Sequence, residues 1–312
     1  MQESAFDRRS IPADARFSTW RAADGWIYRT LERRRPDDAA ERGSLLFAGG
    51  RGDFIEKYLE VHEHWHRRGW NVTAFDWRGQ GGSQGDRPAG WLDSFDTVVG
   101  DLDGLIRAWG AEAPWPQVVV GHSMGGHILL RTLAERRPAI DAAVLVAPML
   151  GINSGPVPPM AAEWLPSLAS MFGWGQQPAW RRSPRPHPAG STRQAILTGC
   201  RDRYEDELWW WEKQPGFDLG APTWAWLKAA YASCASLAAA KLEGVKTPVL
   251  LVATRRDRLV DPAAIRRAAS RLPDAELVMV DEAAHEILRE RDEVRLKALA
   301  AIDDFLDRRA RR

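Results

Sequence analysis

The stretch that most constrains this chain is Gly121-His122-Ser123-Met124-Gly125, which lies between two apolar segments. Residues 118–120 predict a short buried strand, and residues 128–133 predict the beginning of a helix. A serine in a sharp turn between a strand and a helix points out of the sheet, and glycines flank it because a Cβ there would meet neighbouring elements. The stretch therefore predicts a nucleophilic Ser123, although a chance loop of this composition is the simpler interpretation of the five residues alone.

Short apolar runs alternate with helical patterns over most of the chain. A β-hairpin is predicted at 16–35, and further strands are predicted at 44–48, 71–75, 142–147, 248–252 and 276–280. Helices are predicted at 53–68 with Asp53 as its cap, at 94–109, from 262 with Asp261 as its cap, and at 291–308. This alternation predicts an α/β fold with a mostly parallel, doubly wound sheet.

The alternation stops between residues 148 and 244, which hold 8 of the 16 tryptophans and two proline-rich pieces. We predict a helical cap at 148–244, inserted into a core formed by 1–147 and 245–312. Pockets for small molecules are mostly apolar, so we expect substrate contacts from Trp209, Trp224, Trp226 and also His122. For any single tryptophan, packing inside a small core of the cap is the simpler interpretation.

A serine hydroxyl needs a base, most often a histidine that an acid holds in place. His285 follows the last predicted strand and is the only histidine after the cap, whereas His122 and His127 are too near Ser123 in sequence and His187 lies in the cap. We therefore assign His285 as the base.

For the acid, Asp257 follows the 248–252 strand. Asp261 is expected to cap a helix, and Asp76 is a minor alternative. Enzymes with such a strand–serine–helix turn, called a nucleophile elbow, carry the three groups in the chain order serine, acid, histidine, which Ser123, Asp257 and His285 match.

A tetrahedral intermediate needs two N–H donors. The backbone N–H of Met124, directly after the serine, is the first expected donor. Gly49-Gly50-Arg51-Gly52 follows the 44–48 strand and lets the backbone approach the serine, so the N–H of Arg51 is the second expected donor. The alternative is that these glycines only form the turn.

Composition limits the partners. The net charge of +1 does not favour nucleic acid, and no apolar run reaches the roughly 18 residues of a membrane span. Residues 1–16 lack the apolar region of a signal peptide, and two cysteines are too few for a disulfide framework, so we expect a cytoplasmic protein. Arg181, Arg182 and Arg185 offer charge for a phosphate or an anionic membrane, although such a run is more often a solvated surface.

His62-Glu63-His64-Trp65-His66 matches the zinc motif H-E-x-x-H, which would place both histidines on one helix face. A third ligand is not evident, and Ile55, Leu59 and Val61 are expected to form the packing face. We therefore expect His62 and His66 on a solvated surface, and no metal or other cofactor.

The chain resembles the α/β-hydrolase family, and more closely its bacterial lysophospholipase and monoacylglycerol-lipase-like branch, often grouped with serine aminopeptidase-type sequences. The resemblance runs from about residue 17 to residue 305 and rests on these residues: 49–58, 76–83, 121–126, 220–227, Asp257 and His285. One departure is Gly49-Gly50, where related enzymes often carry His-Gly. Because the donor is a backbone N–H, this departure is not expected to abolish the oxyanion hole.

The residues and the resemblance together predict a serine hydrolase of carboxylic esters with hydrophobic acyl groups, which acts on a small lipid-like substrate and touches membranes peripherally through the cap. Three alternatives are a serine peptidase or amidase with the same triad, a non-catalytic ligand-binding protein of this fold, and the zinc enzyme. A peptidase would need an acidic anchor for a peptide terminus, and the cap offers Glu163, Glu205, Asp206 and Glu207.

Overall fold

The computed structural model describes residues 6–155, 157–180 and 187–310 of the chain. Its strands form one sheet of eight. Their bounds are β1 Arg16–Arg21, β2 Ile27–Arg33, β3 Gly43–Ala48, β4 Trp70–Phe75, β5 Gln117–His122, β6 Ala142–Val146, β7 Val249–Ala253 and β8 Ala275–Met279.

The strand order is β1-β2-β4-β3-β5-β6-β7-β8. The hairpin strands β1 and β2 pair antiparallel, and β2 also pairs antiparallel with β4. All other neighbours are parallel, so the carboxyl ends of β3 to β8 meet at one edge of the sheet. The predicted mostly parallel α/β-hydrolase sheet is thus confirmed.

Nine α-helices connect or cover the strands in the described part of the chain. Their bounds are α1 Leu59–His66, α2 Phe95–Glu112, α3 Met124–Glu135, α4 Pro159–Met171, α5 Thr192–Leu197, α6 Arg201–Lys213, α7 Trp224–Ala239, α8 Pro262–Ala269 and α9 Asp292–Arg309. None of the described helices is both long enough and apolar enough to cross a bilayer.

Apolar side chains fill both faces of the sheet. On one face α2, α3 and α8 pack through residues such as Val99, Ile128 and Ile265. On the other face α1 and α9 pack through residues such as Trp65 and Phe305. The parallel strands are apolar on both sides because helices cover both faces, which is the reason their sequences read as continuous apolar runs.

The prediction for residues 53–68 was wrong in its details. The segment begins with a 3-10 turn, Ile55–Tyr58, and α1 starts only at Leu59. Phe54, not Asp53, is the residue at the N-cap position of the turn, and no side chain caps it. Asp53 instead bonds to groups around Ser123, as described below. Asp261 does cap α8, because its carboxylate accepts from the N–H groups of Ala263 and Ala264.

The segment between β6 and β7 carries α4 to α7 and no strand among its described residues. Its helices do not form a separate core. Trp226, Ala230 and Leu237 of α7 belong to the cluster that covers one face of the sheet, and Trp210 of α6 belongs to the other cluster.

The expectation of a small tryptophan core within the cap was therefore wrong. Trp164, Trp174 and Trp180 are 66%, 53% and 56% exposed. The predicted domain bounds stay a prediction, and Arg181, Arg182 and Arg185 lie outside the described residues.

Candidate active site

Ser123 lies between the end of β5 and the start of α3, in a strained conformation with φ 51° and ψ −113°. The flanking glycines are needed because backbone atoms pack directly against them. A Cβ on Gly121 would come within 2.7 Å of the nitrogen of Gly126, and one on Gly125 would overlap the carbonyl oxygen of Ala48. Non-glycine residues rarely adopt positive φ, so the tight packing around the turn holds Ser123 in this conformation.

Three side chains that are distant in sequence meet at this turn. The Nε2 atom of His285 lies 3.0 Å from the Oγ of Ser123, and its Nδ1 lies 2.7 Å from Oδ2 of Asp257. Because an ionised carboxylate only accepts hydrogen bonds, Nδ1 carries the proton and the Nε2 of a neutral ring is free to accept from the serine. The structure thus brings together the three residues predicted from the sequence.

The other oxygen of Asp257 accepts from the backbone N–H groups of Leu259 and Val260, which orients the carboxylate. Burial disfavours the protonated His285 ring, but the charge and the hydrogen bond of Asp257 outweigh burial and raise the pKa of His285 above 6.5. The backbone around His285 is held by α5, because its N–H lies 3.3 Å from the carbonyl of Ile196.

The two alternative acids have other partners. Asp261 caps α8. Asp76 accepts from the N–H groups of Ile55 and Gly82 and pairs with Arg29 at 2.6 Å. Burial raises the pKa of Asp76 to about 6, which fits a structural carboxyl that fastens the loop after β4.

The predicted oxyanion donors lie on either side of Ser123. Met124 is the first residue of α3, where N–H groups have no acceptor within the helix. On the other side, a Cβ on Gly50 would lie 3.0 Å from that of Ser123. The N–H groups of Gly50 and Gly52 donate to the side chains of Asp53 and Gln80, both at 2.6 Å. No described group accepts from the N–H of Arg51 between them.

Asp53 is the residue whose role the sequence analysis missed. Its Oδ2 accepts from Gly50 and lies 2.9 Å from Nδ1 of His122, while its Oδ1 lies 2.8 Å from Nζ of Lys57. Burial opposes its ionisation, but the charge of Lys57 and the hydrogen bond of His122 hold the pKa of Asp53 well below its usual range. The charged carboxylate therefore fixes the oxyanion loop to the strand that carries the serine.

Lys57 also ties this carboxylate to the base-bearing loop and to the insertion. Its Nζ lies 2.6 Å from Glu286, next to His285, and 3.6 Å from Glu207 on α6. Arg289 contacts both of these glutamates, and all four charged side chains are at most 4% exposed. Paired buried charges of this kind define one geometry, because moving any member leaves another unpaired.

The four residues predicted to contact the substrate lie in different surroundings. Trp226 lies near the oxyanion loop, with its ring 5.2 Å from the guanidinium carbon of Arg51. His122 is 2% exposed and bonds to Asp53. Trp209 packs on Trp210, with ring centroids 4.9 Å apart, and its ring lies 5.9 Å from the guanidinium carbon of Arg9.

No described contact joins Trp209 to Ser123 or His285. The backbone N–H of Trp224 donates to Gln177. Among the three predicted tryptophans, Trp226 is the one with a described contact to the side chain of Arg51 in the oxyanion loop.

The expectation that the H-E-x-x-H histidines are solvated was wrong. His62 is 0% exposed and His66 is 7% exposed. Neither ring nitrogen of His62 has a hydrogen-bond partner among the described residues, and burial lowers its pKa to about 3. Glu63 is already paired with Arg33 at 2.6 Å. His62 packs on Phe47, with ring centroids 5.2 Å apart, and so belongs to the apolar contact between α1 and the sheet.

Comparison with known proteins identifies the family of this chain. The pattern of the family described as "Serine aminopeptidase, S33" matches residues 39–292. Lysophospholipase L2 of Escherichia coli (strain K12) is 29% identical over 281 residues, covering 85% of this chain and 80% of that protein.

A monoacylglycerol lipase of Mycolicibacterium smegmatis is 31% identical over 126 residues, which cover 40% of this chain and 44% of that protein. A soluble variant of monoglyceride lipase from Saccharomyces cerevisiae shares the fold with a TM-score of 0.75, 18% identity and 99% coverage of both chains. The family match spans most of the chain, and the protein therefore belongs to this α/β-hydrolase family.

Proposed function

We propose that this protein hydrolyses carboxylic esters with hydrophobic acyl groups, of the lysophospholipid or monoacylglycerol type, through an acyl-enzyme on Ser123. The observation that carries the proposal is the chain of contacts from Ser123 Oγ to His285 Nε2 at 3.0 Å and from His285 Nδ1 to Asp257 at 2.7 Å. The names of the similar proteins support the ester substrate.

The reaction follows from these contacts. His285 takes the proton of Ser123 while Oγ bonds to the ester carbonyl carbon, and the negative oxygen that forms accepts from the N–H groups of Met124 and Arg51. The carbon–oxygen bond of the alcohol then breaks, and His285 returns the proton to the leaving alcohol. A water molecule repeats both steps on the acyl-enzyme and releases the fatty acid.

The peptidase alternative has less support in the structure. An aminopeptidase needs a free carboxylate for the substrate's amino group, but three of the four expected anchors are already paired. Asp206 pairs with Arg9 at 2.7 Å, Glu207 pairs with Arg193 at 2.7 Å, and Glu205 pairs with Arg201. Glu163 remains, and it is exposed on α4.

We also propose that α4 contacts a lipid surface. Met160, Trp164, Leu168 and Met171 recur at helical spacing and are 74%, 66%, 46% and 80% exposed. Phe172 directly after the helix is 72% exposed. A continuous apolar stripe that faces water marks an interaction site, and a lipid-like substrate would be met at such a surface. The cytoplasmic location stays a prediction.

A fluorophosphonate probe tests the mechanism. We expect it to label the wild-type protein and not Ser123→Ala, while the control Ser270→Ala, which removes an exposed hydroxyl at the end of α8, is labelled like the wild type. Turnover of p-nitrophenyl esters of increasing chain length, compared with aminoacyl anilides, tests the substrate class. Labelling of Ser123→Ala would contradict the mechanism, and anilide turnover above ester turnover would favour the peptidase.

A further inference from the structure

Arg51, which is half-buried, differs from the fully buried arginines of the described chain. Five arginines that are 3–6% exposed each lie within 4 Å of a carboxylate, and these are Arg33, Arg131, Arg203, Arg289 and Arg295. Arg51 has no carboxylate at that distance among the described residues. Its Nε is fully covered and lacks a hydrogen-bond partner there.

The contacts that Arg51 does make are weak for a charged group. One Nη1–H donates to the carbonyl of Gly220 at 3.0 Å, and the guanidinium lies over the ring of Trp226. Burial lowers the pKa of Arg51 to about 10, so the side chain keeps its charge at neutral pH. A guanidinium has five N–H donors, and among the described residues only the carbonyl of Gly220 accepts from those of Arg51.

A half-buried cation with one covered, unpaired nitrogen is unfavourable without an anion, because part of its charge is desolvated. The cation–π contact with Trp226 offsets only part of this cost. The side chain is therefore best explained by an anion that joins it in the working complex.

The position of Arg51 identifies which anion. Its neighbour Gly50 is packed against Ser123, and its own N–H is the proposed oxyanion donor. The side chain reaches from there to Gly220 and Trp226 of the insertion. An anion at the guanidinium would thus lie between the oxyanion loop and the insertion, where it could belong to the molecule whose ester is held at Ser123.

We propose that the Arg51 guanidinium binds the phosphate of a lysophospholipid-type substrate, and so selects phosphate-bearing esters over neutral monoacylglycerols. This inference rests on the proposed ester hydrolysis at Ser123. Guanidinium and phosphate form paired charge-assisted hydrogen bonds, for which a lysine is an incomplete substitute. Arg51 acts here as a specificity-determining residue through its side chain, separately from its backbone.

The test compares 1-oleoylglycerol 3-phosphate with 1-oleoylglycerol, which share the acyl ester and differ only in the phosphate. Both are presented in the same uncharged detergent micelles. We expect the ratio of kcat/KM for the phosphate ester to that for the neutral ester to fall at least tenfold in Arg51→Met and less in Arg51→Lys. Lys228→Met removes an exposed cation from α7, two residues from Trp226, and should leave the ratio unchanged.

A second measurement separates a bound headgroup from a general phosphate site. Glycerol 3-phosphate should inhibit p-nitrophenyl butyrate hydrolysis by the wild type more strongly than inorganic phosphate does, and this difference should disappear in Arg51→Met. Inhibition by inorganic phosphate of equal strength would overturn the proposal.

An equal fall for both oleoyl esters in Arg51→Met would also overturn it, because that result assigns Arg51 a structural role only. If the wild-type protein is not labelled by fluorophosphonate, the failure lies with the proposed function and not with Arg51.

Discussion

The carboxylate of Asp53 accepts a hydrogen bond of 2.6 Å from the backbone N–H of Gly50. The oxyanion loop is thereby fixed next to Ser123 before a substrate arrives. Donors that are already oriented stabilise the transition state more than the ground state, because they need no rearrangement when charge develops. Asp53 is thus a positioning residue that touches neither the substrate nor the reacting atoms.

We expect Asp53→Ala to lower kcat about 100-fold with little change in KM, since loss of one oxyanion donor typically costs that much. Asp53→Asn keeps an acceptor for Gly50 and should lose less. Kinetics with p-nitrophenyl butyrate and the Tm of each variant check this. A rise in KM with an unchanged kcat would contradict a positioning role. A loss of folded protein as large as the loss of activity would mean that Asp53→Ala lowers activity by unfolding the protein.

The pH dependence follows from the raised pKa of His285. Catalysis needs the neutral ring, so kcat/KM should fall as the pH drops through a pKa above 6.5. The contribution of His285 to the free energy of unfolding depends on pH in the opposite direction. The folded protein binds this proton more tightly than the unfolded chain, so the stabilisation is complete below pH 6.5 and is lost as the pH rises through the folded pKa.

Activity profiles and urea unfolding from pH 5 to 9 measure both effects. Asp257→Asn should lower kcat about 10⁴-fold, because the ring loses the partner that fixes its tautomer. An acid limb of kcat/KM centred below pH 6.5 in the wild type would contradict the raised pKa of His285, because it would mean that burial outweighs the charge of Asp257.

Two glycine-to-alanine substitutions distinguish the effect of a steric clash at the turn of Ser123 from the effect of alanine on helix propensity. Gly125→Ala would place a methyl group on the carbonyl oxygen of Ala48, and we expect a loss of at least 2 kcal/mol in stability together with loss of fluorophosphonate labelling. Gly100→Ala is the matched control. It lies exposed within α2 with nothing within 4 Å of its Cβ position, and it should gain about 0.5–1 kcal/mol. Chemical denaturation of both variants gives the comparison, and a neutral Gly125→Ala would mean that the elbow tolerates a side chain.

The apolar stripe on α4 predicts surface-dependent activity. Trp164→Ser combined with Met171→Ser should weaken binding to phosphatidylcholine vesicles about tenfold or more, because each residue is exposed and apolar. Hydrolysis of p-nitrophenyl acetate in solution should stay near the wild-type rate. Leu296→Ser, which removes an exposed leucine from α9, is the control. If the wild-type protein does not bind vesicles but forms a dimer through α4, the lipid-contact proposal is contradicted and the stripe is a dimer interface.

His62 predicts an acid-sensitive contact. Its pKa of about 3 in the folded protein lies below the ordinary 6.5, so its contribution to stability is lost as the pH falls from about 6.5 towards 3. We expect His62→Leu to shift the acid unfolding midpoint to lower pH, as circular dichroism would show. Dialysis against EDTA should leave ester hydrolysis unchanged. Activity that disappears with EDTA and returns with zinc would restore the metal interpretation of the H-E-x-x-H stretch.

Much of the site was predictable because parallel strands gather their carboxyl ends at one edge. Ser123, Asp257 and His285 each follow a recognisable apolar strand, and their order along the chain limited the choices. The same logic failed for His62 and His66. The three apolar residues assigned to the packing face are buried, but His62 stands three residues after Leu59, and His66 four residues after His62, so both histidines share the buried side of α1.

The buried charges could not be predicted for a different reason. Lys57 and Glu286 are 229 residues apart, and only the fold places them in contact. A sequence shows that each is charged, but not that burial and pairing go together. The signal available was weak: Asp53 and Lys57 stand four residues apart, a spacing that lets the two side chains meet.

Because α7 supplies Trp226, Ala230 and Leu237 to the packing on the sheet, the segment between β6 and β7 is not one exchangeable module. Replacing the whole segment with that of a relative would remove part of the central packing together with the exposed apolar stripe of α4. Exchange of α4 alone disturbs only a helix whose outer face is open to water. Sequence changes in this scaffold are therefore most easily accommodated on the outer face of α4, whereas changes in α7 also alter the packing on the sheet that it covers.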